Sequence, residues 1–346
     1  MKISEFKSVT KILSVFAGII LFAYVVVAGI SFFSYAVLGN VQKSDFLYIP
    51  TGSTLSEQAN KMVEDGFLKD TTEMMVYVKK MRVGEFQPGK YSVEKGMTYL
   101  KLFHMLEKGR QTPARIIFNN IDDKEELVGR LSTQIELDSL ALLDMFANDT
   151  LLAKFNLTPE NALFIFIPNT YEVYWDISEE KLLTMIRKEY DKFWKAREEK
   201  LGAITLTREE VINLASIVEK ECTFQDEMST VAGIYINRLT KNMPLQADPT
   251  VKYAVGDRTL RRILHKHLEV ESPYNTYRHT GLPPTPISLP SIAAIDAVLN
   301  YKKSDYLYFC ASDKMDGRHR FSSSYNEHIR NAHSYARALN AAGILN

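Results

Sequence analysis

The sequence is poor in cysteine. It contains only two, Cys222 and Cys310, in 346 residues, whereas small secreted domains held together by disulfides are rich in them. A disulfide framework is therefore excluded, and a hydrophobic core must hold the fold. The two thiols are either buried free groups or the two halves of one bridge outside the cytoplasm.

The chain also has no net charge at pH 7. The chain has 42 Lys and Arg residues against 42 Asp and Glu residues, and neither end carries a run of like charges. This balance argues against nucleic-acid binding through bulk electrostatic attraction. We expect no nucleic-acid partner.

One long segment near the N-terminus, residues 12–38, lacks charged side chains altogether. Its 27 residues exceed the roughly 20 that a helix needs to cross a bilayer. The apolar part of a cleaved signal peptide has only about 7–15 residues, and a buried core helix is seldom so free of charge. We therefore predict an uncleaved, single-pass transmembrane helix.

Lysine residues flank this segment on its N-terminal side. Lys2, Lys7 and Lys11 precede it and are opposed only by Glu5, while few charges follow it directly. The positive-inside rule then predicts that residues 1–11 form a cytoplasmic tail and that the bulk of the chain lies outside the cytoplasm.

The part of the chain after the apolar segment is too long for one typical domain. Short strand and helix patterns alternate over residues 46–108 and predict a small α+β module at residues 39–112. The second unit, residues 113–346, is predicted to be a larger mixed α+β domain. It is mostly helical over 124–200 and rich in loop-forming residues over 244–290.

Thr207 and Glu210 have the spacing of a capping box, in which the threonine hydroxyl and the glutamate side chain satisfy each other's backbone N–H groups. A helix is therefore predicted from residue 208 to about Cys222. A second helix is predicted over residues 226–239.

Helical geometry places Glu219 at the edge of the apolar face of the first of these helices. At about 100° per residue it lies about 80° from Val211, beside Ile212 and Ala215. Partial desolvation there would keep its carboxyl protonated near neutral pH, as a general acid requires. Glu221 lies on the opposite flank. The alternative is that Glu219 is a solvated helix residue.

Six ordered motifs follow in the second unit. They are ASIVEKE from residue 215, VAGIYINRL from 231, MPLQADPTV from 243, SPYNTY from 272, GLPPTPI from 281 and YLYF from 306. Together they strongly resemble the MltG (YceG-like) family of endolytic murein transglycosylases. The resemblance runs over residues 46–346 and is densest over 213–328.

The resemblance implies a single-pass inner-membrane enzyme with a LysM-like module before its catalytic domain. Such enzymes cleave the bond between N-acetylmuramic acid and N-acetylglucosamine without water and leave a 1,6-anhydro ring. The family's catalytic glutamate maps onto Glu219, which would protonate the glycosidic oxygen and then accept the proton of the attacking muramyl C6 hydroxyl. One carboxyl then suffices, because the nucleophile belongs to the substrate.

Residues suited to sugar recognition occur within the motifs. Gln246, Asp248, Asn275 and Tyr277 are predicted to hydrogen-bond sugar hydroxyl or acetamido groups, and Tyr274 or Tyr277 to stack on a sugar face. Turn architecture is the alternative, because Asp-Pro and Asn-Thr pairs also form turns.

Glu227 is a further predicted substrate contact. It occupies a place where the family usually has a Glu-Arg pair, but Met228 replaces the arginine. Asn169, Ala247 and Thr285 also depart from the family pattern. The changes at Met228 and Ala247 motivate a second hypothesis, a membrane-tethered glycan-binding or scaffold protein that has lost the reaction.

Neither a cofactor nor a metal site is predicted. His265 and His267 are two residues apart and would point to different faces of a helix, with no ligand cluster to complete a zinc site. The expected partners are peptidoglycan strands, the membrane and, by resemblance, cell-wall synthases. The first module is expected either to contact glycan or to act as a spacer.

Overall fold

The computed structural model of the chain describes residues 3–36, 41–257, 260 and 262–343. The structure is mixed α+β, as predicted, and it divides into two compact units. The first unit is Met1–Ala114 with Glu172–Asp176, and the second is Arg115–Tyr171 with Ile177–Asn346.

The chain begins with one long helix, α1, at Ile3–Ala36. Its stretch Leu13–Ile30 has a mean hydropathy of 2.6, and none of it is buried against other parts of the protein. An apolar surface of this length is stabilised by lipid rather than by water. The helix is therefore consistent with the predicted membrane span, whose last residues, 37 and 38, lie outside the described residues.

The remainder of the first unit surrounds a two-stranded antiparallel sheet. Its elements are β1 (Asp45–Ile49), α2 (Leu55–Glu64), α3 (Thr72–Met81), β2 (Gly89–Val93) and α4 (Tyr99–Glu107). Leu47 of β1 lies opposite Tyr91 of β2, and both side chains are fully buried with Phe103 of α4. The strands and helices predicted over 46–108 are therefore confirmed.

The rest of the chain contains eleven α-helices and four strands among the described residues. In order these are β3 (Ala114–Phe118), α5 (Lys124–Ser132), α6 (Ser139–Ala147), α7 (Asp149–Ala153), β4 (Asn169–Val173), α8 (Glu179–Lys195), α9 (Glu198–Gly202), α10 (Arg208–Glu221), α11 (Gln225–Thr240), α12 (Asp248–Val255), α13 (His265–Leu268), α14 (Ile292–Leu299), β5 (Tyr308–Ala311), β6 (His319–Ser322) and α15 (Tyr325–Ala341). Strand β3 pairs with β4, and β5 pairs with β6.

Helix α10 occupies the centre of the second unit. All residues from Val211 to Val218 are buried, which covers every side of the helix rather than one stripe, and α11, α12 and α14 pack around it. The predicted capping box begins the helix. The Thr207 N–H donates to Glu210 Oε2 at 2.8 Å, and the Glu210 N–H donates to Thr207 Oγ1 at 3.2 Å.

Residues 244–290 are not loop throughout. The prediction was wrong at Asp248–Val255, which form α12, and at His265–Leu268, which form the short helix α13. Pro249 is compatible with α12 because a first-turn N–H has no partner inside the helix. Gly256 adopts a φ of 74° and ends the helix in the left-handed conformation.

Cys222 and Cys310 are both free thiols, so the single-bridge alternative does not apply. Cys222 is buried at the end of α10, as the free-thiol interpretation predicts, whereas Cys310 on β5 is only partly buried. Burial raises the pKa of the Cys222 thiol to about 12, and the neutral thiol is a poor nucleophile.

Candidate active site

The last turn of α10 carries two glutamates, Glu219 and Glu221. Because they are two positions apart, their side chains leave the helix about 200° from each other. Glu219 faces α14. Its Oε2 accepts a hydrogen bond of 2.8 Å from the backbone N–H of Ser291, the residue that caps the start of α14. The Glu219 side chain therefore links the end of α10 to the start of α14.

Glu221 faces a different environment. Its Oε1 accepts a hydrogen bond of 2.9 Å from the hydroxyl of Tyr235, a residue that is only 1% exposed. Burial raises the pKa of Glu221 to about 7, with the Tyr235 hydrogen bond opposing this rise and the charge of Asp248 adding to it. Near neutral pH this carboxyl can therefore both give and take a proton.

Asp248 and Tyr277 lie on the same side of the site. The Tyr277 hydroxyl donates to Asp248 Oδ1 at 2.7 Å. Burial, followed by the hydrogen bond to Asp248, raises the pKa of Tyr277, so the phenol stays protonated and keeps this donor. The carboxylate of Asp248 is thereby held in place while its residue remains exposed.

A buried arginine, Arg238, lies close to Glu221 and bonds to the backbone around the site. Arg238 is 7% exposed, and its guanidinium donates to the backbone carbonyls of Leu245 and Leu307, each at 2.7 Å. Its positive charge is close enough to lower the pKa of Glu221 and so to limit the effect of burial. Arg238 and Tyr235 are three residues apart on α11, so they share one face of that helix.

Glu221 and Asp248 line an open cavity of about 990 Å³. The residues described along its wall are Asp122, Asp123, Lys220, Glu221, Asp248, Pro249, Lys252, Tyr253, Gly256, Asp257, Leu260, Arg262, Ile263 and Ile287. Glu219 is not among them. Lys220 forms an ion pair with Asp122 across this wall.

A second cavity, of about 590 Å³, lies at the other end of α10. It is lined by residues such as Arg208 and Asn213 and by the loop at 281–286. Its described lining includes none of the residues proposed above for catalysis or hydrogen bonding to substrate. The site therefore centres on the cavity that contains Glu221.

Asn275, another predicted substrate contact, bonds to backbone groups. Asn275 is fully buried, and its Nδ2 donates to the carbonyls of Leu268 and Val270, each at 2.9 Å. Its Oδ1 accepts from the Tyr277 N–H at 3.1 Å. Since both amide hydrogens are used, the geometry favours the turn interpretation for Asn275, which positions Tyr277.

Gln246 stays exposed beside the site. Its backbone has a φ of 51°, its N–H donates to the Thr276 carbonyl at 3.0 Å, and its Oε1 accepts a long hydrogen bond of 3.4 Å from Arg238. The side-chain amide group carries two further donors. Its predicted contact with sugar stays a prediction.

Glu227 lies away from the cavity, near the start of α11. It is 7% exposed, and its two carboxylate oxygens lie 3.1 Å from the backbone nitrogen and Nδ1 of His319 on β6. Met228, which stands at the family's arginine position, is buried in the core. This geometry favours a structural role for Glu227, and its predicted contact with substrate stays a prediction.

From the sequence, Glu221 is only the residue on the opposite flank of the helix, and neither Tyr235 nor Arg238 is predicted to be functional. Tyr235 and Arg238 are three residues apart inside one motif, and this spacing indicates that their side chains share one face of a helix.

The described part of the chain contains no group of three or more His, Cys, Asp or Glu residues placed to hold a metal ion.

Comparison with known proteins gives relatives across most of the chain. A Bacillus subtilis protein named endolytic murein transglycosylase is 29% identical over 311 residues, which cover 84% of this chain and 85% of that protein. A Streptococcus pneumoniae protein of the same name is 26% identical over 322 residues, 84% of this chain but only 58% of the relative's length.

A solved structure is also similar to this chain over most of its length. The crystal structure of a yceG-like protein from Listeria monocytogenes is 28% identical, aligns with a TM-score of 0.54, and covers 84% of this chain and 99% of that one. The YceG-like family matches residues 47–334. Since this match spans most of the sequence, the chain belongs to the YceG-like family.

Proposed function

We propose that the chain is a membrane-anchored lytic transglycosylase that cuts nascent peptidoglycan strands internally. It cleaves the bond between N-acetylmuramic acid and N-acetylglucosamine, leaves 1,6-anhydro ends and so limits strand length. The relatives named endolytic murein transglycosylase support this assignment. The observation that carries it is a carboxyl with a pKa of about 7 inside an open cavity.

The family resemblance implies Glu219 as the catalytic acid, whereas the geometry favours Glu221 for the same role. Glu219 is engaged with the start of α14, whereas Glu221 lines the cavity. A group whose pKa lies near the working pH serves best as both acid and base. Protonated Glu221 donates to the departing glycosidic oxygen, and the resulting carboxylate accepts the proton of the C6 hydroxyl as that oxygen attacks the anomeric carbon.

The neighbours of Glu221 can stabilise the positive charge that develops on the sugar in this step. Breaking the glycosidic bond builds positive charge on the sugar ring, and the carboxylate of Asp248 is a nearby negative group held by Tyr277. Asp248 is also exposed to the cavity and can accept hydrogen bonds from sugar hydroxyls. Gln246, exposed on the same segment, can donate to an acetamido carbonyl.

Analysis of reaction products tests the proposal. The purified full-length chain in detergent is incubated with glycan strands, and the products are analysed by mass spectrometry. We expect 1,6-anhydro muramyl ends. Glu221→Gln should lower the rate by at least about 100-fold, the usual contribution of a general acid, while Glu219→Gln, the matched control, retains most of it.

Each alternative predicts a distinct outcome. Activity lost in folded Glu219→Gln and kept in Glu221→Gln would return the acid role to Glu219. Reducing muramyl ends would identify a hydrolase of the same bond. Glycan binding without cleavage by the wild-type chain would support the scaffold hypothesis, for which Met228 and Ala247 were the sequence grounds.

For location, we propose that α1 anchors the protein in the inner membrane with the N-terminus in the cytoplasm. The apolar window at Leu13–Ile30 and the lysines that precede it support this orientation. The LysM-like assignment of residues 39–112 stays a prediction, with contact to glycan or a spacer role as its two interpretations. Cell-wall synthases remain proposed partners, by resemblance to the family.

A further inference from the structure

We infer that Tyr253 is a sugar-stacking residue of the cavity, which holds a ring of the glycan strand next to the bond that is cleaved. The inference rests on the proposed function and specifies how the same site recognises its substrate. It assigns Tyr253 a role in substrate binding, at a sugar ring next to the reacting atoms.

Glu221 and Asp248 form the acid cluster of the cavity, and helix α12 places Tyr253 at a defined distance from it. Asp248 begins the helix and Tyr253 lies five residues later, about 7.5 Å along its axis. Pro249 and Tyr253 are four residues apart, so they share one face. All three residues line the cavity together with Glu221, and a strand that crosses the acid cluster therefore passes Tyr253.

The ring of Tyr253 is both exposed and supported. It is 43% exposed, whereas Tyr235 in the same unit is 1% exposed. One side of it packs against Tyr274, with the ring centroids 4.7 Å apart. The Tyr274 hydroxyl is itself hydrogen-bonded to Thr285 Oγ1 at 2.7 Å, which fixes the supporting ring. Tyr253 is thus presented to the cavity in a fixed orientation.

Sugar rings suit such a surface. A pyranose ring has polar edges and two faces of C–H groups, and an aromatic side chain offers a flat apolar area with little conformational entropy to lose. Leu260, Ile263 and Ile287 add apolar wall to the same cavity. A ring fixed before binding lowers the entropic cost of association.

Tyr253 differs from other exposed tyrosines such as Tyr325 because it lines the cavity that contains Glu221. A tyrosine that only filled the core would bury its ring, as Tyr235 does. The sequence predicts Tyr274 or Tyr277 for stacking, but neither is among the residues described along the cavity wall, whereas Tyr253 is. Tyr274 supports the stacking surface, and Tyr253 forms it.

Steady-state kinetics on the full-length chain tests this role. We expect Tyr253→Ala to raise KM for glycan strands about ten-fold, the equivalent of one lost aromatic contact, with kcat changed by less than about two-fold. Tyr253→Phe keeps the flat ring and should stay close to wild type, whereas Tyr253→Leu keeps apolar volume without the flat face and should resemble the alanine variant. Tyr325→Ala removes a tyrosine that is 60% exposed on α15 and serves as the control with unchanged KM.

Binding measured without turnover separates this inference from the proposed reaction. In a Glu221→Gln background, Tyr253→Ala should weaken the affinity for glycan strands, measured by calorimetric titration, by the same factor. If the wild-type chain binds glycan but makes no 1,6-anhydro ends, the proposed reaction fails while a weaker affinity still supports the role of Tyr253. An unchanged KM and affinity in Tyr253→Ala, or a loss confined to kcat, would overturn it, and the melting temperature of each variant excludes unfolding as the cause.

Discussion

The proton of Glu221 controls the proposed reaction at the scale of single residues. The acid must be protonated at the start, and its pKa is raised to about 7. We expect kcat/KM to be constant below about pH 6 and to fall about ten-fold per pH unit above 7, since only the protonated fraction reacts. A pH profile from 5 to 9 measures the midpoint of this fall.

Tyr235→Phe tests whether Glu221 is the group that sets the pH profile. The Tyr235 hydroxyl donates to Glu221 and lowers its pKa, so removing that hydroxyl should raise the pKa and move the alkaline fall to higher pH. Glu219→Gln should leave the midpoint where it is. A midpoint that stays fixed or moves to lower pH in Tyr235→Phe would show that another group limits the rate.

The two glutamates also show how far a sequence determines a site. Periodicity gives the direction in which each side chain leaves α10, and it correctly separates Glu219 from Glu221. It does not give what each side chain meets. Ser291 lies 72 residues beyond Glu219, and Asp248 reaches Glu221 only through the packing of α12 on α10. Such long-range partners decide which carboxyl lies beside the cavity.

At the scale of secondary-structure elements, the close approach of α11 to the segment after α14 can be tested at Gly233. A Cβ atom at this position would lie 2.3 Å from the backbone carbonyl oxygen of Lys302, and the Lys302 N–H donates to the Ser229 carbonyl at 2.9 Å. The carbonyl is therefore fixed and cannot move aside easily. We expect Gly233→Ala to destabilise the fold by about 1–3 kcal/mol, as overpacking does.

Gly129 provides the matched control. It lies inside α5, and a Cβ there would meet nothing within 4 Å. Gly129→Ala should stabilise the fold by about 0.5–1 kcal/mol, because alanine loses less backbone entropy than glycine in a helix. Urea unfolding followed by circular dichroism compares the two midpoints. Equal shifts in both variants would mean that α11 does not pack this closely against Lys302.

Elements with local signals are the ones that sequence predicts well. The capping box of Thr207 and Glu210 fixes the start of α10 within one residue, because both partners lie in the same turn. The sequence does not predict helix α12, because Asp-Pro also starts turns and eight residues carry little periodicity. Its stability comes from packing on α10, with Val251 fully buried.

At the scale of the whole molecule, the apolar helix and the candidate site belong to different parts of the chain. Leu13–Ile30 form the candidate span in the first unit, whereas Glu221, Asp248 and Tyr253 all belong to the second. No residue of α1 lines the described cavity. Anchoring and chemistry are therefore expected to be separable.

Deletion of residues 1–38 tests that separation. The shortened chain should leave the membrane fraction, while its kcat/KM on glycan strands in solution stays within about two-fold, because the cavity loses none of its described residues. In cells it should function less well, since an anchored enzyme stays close to the membrane at which nascent strands emerge. Replacing residues 12–38 with an unrelated apolar helix of equal length should restore both location and function. Full rescue by the soluble form would show that proximity to the bilayer is not part of the mechanism.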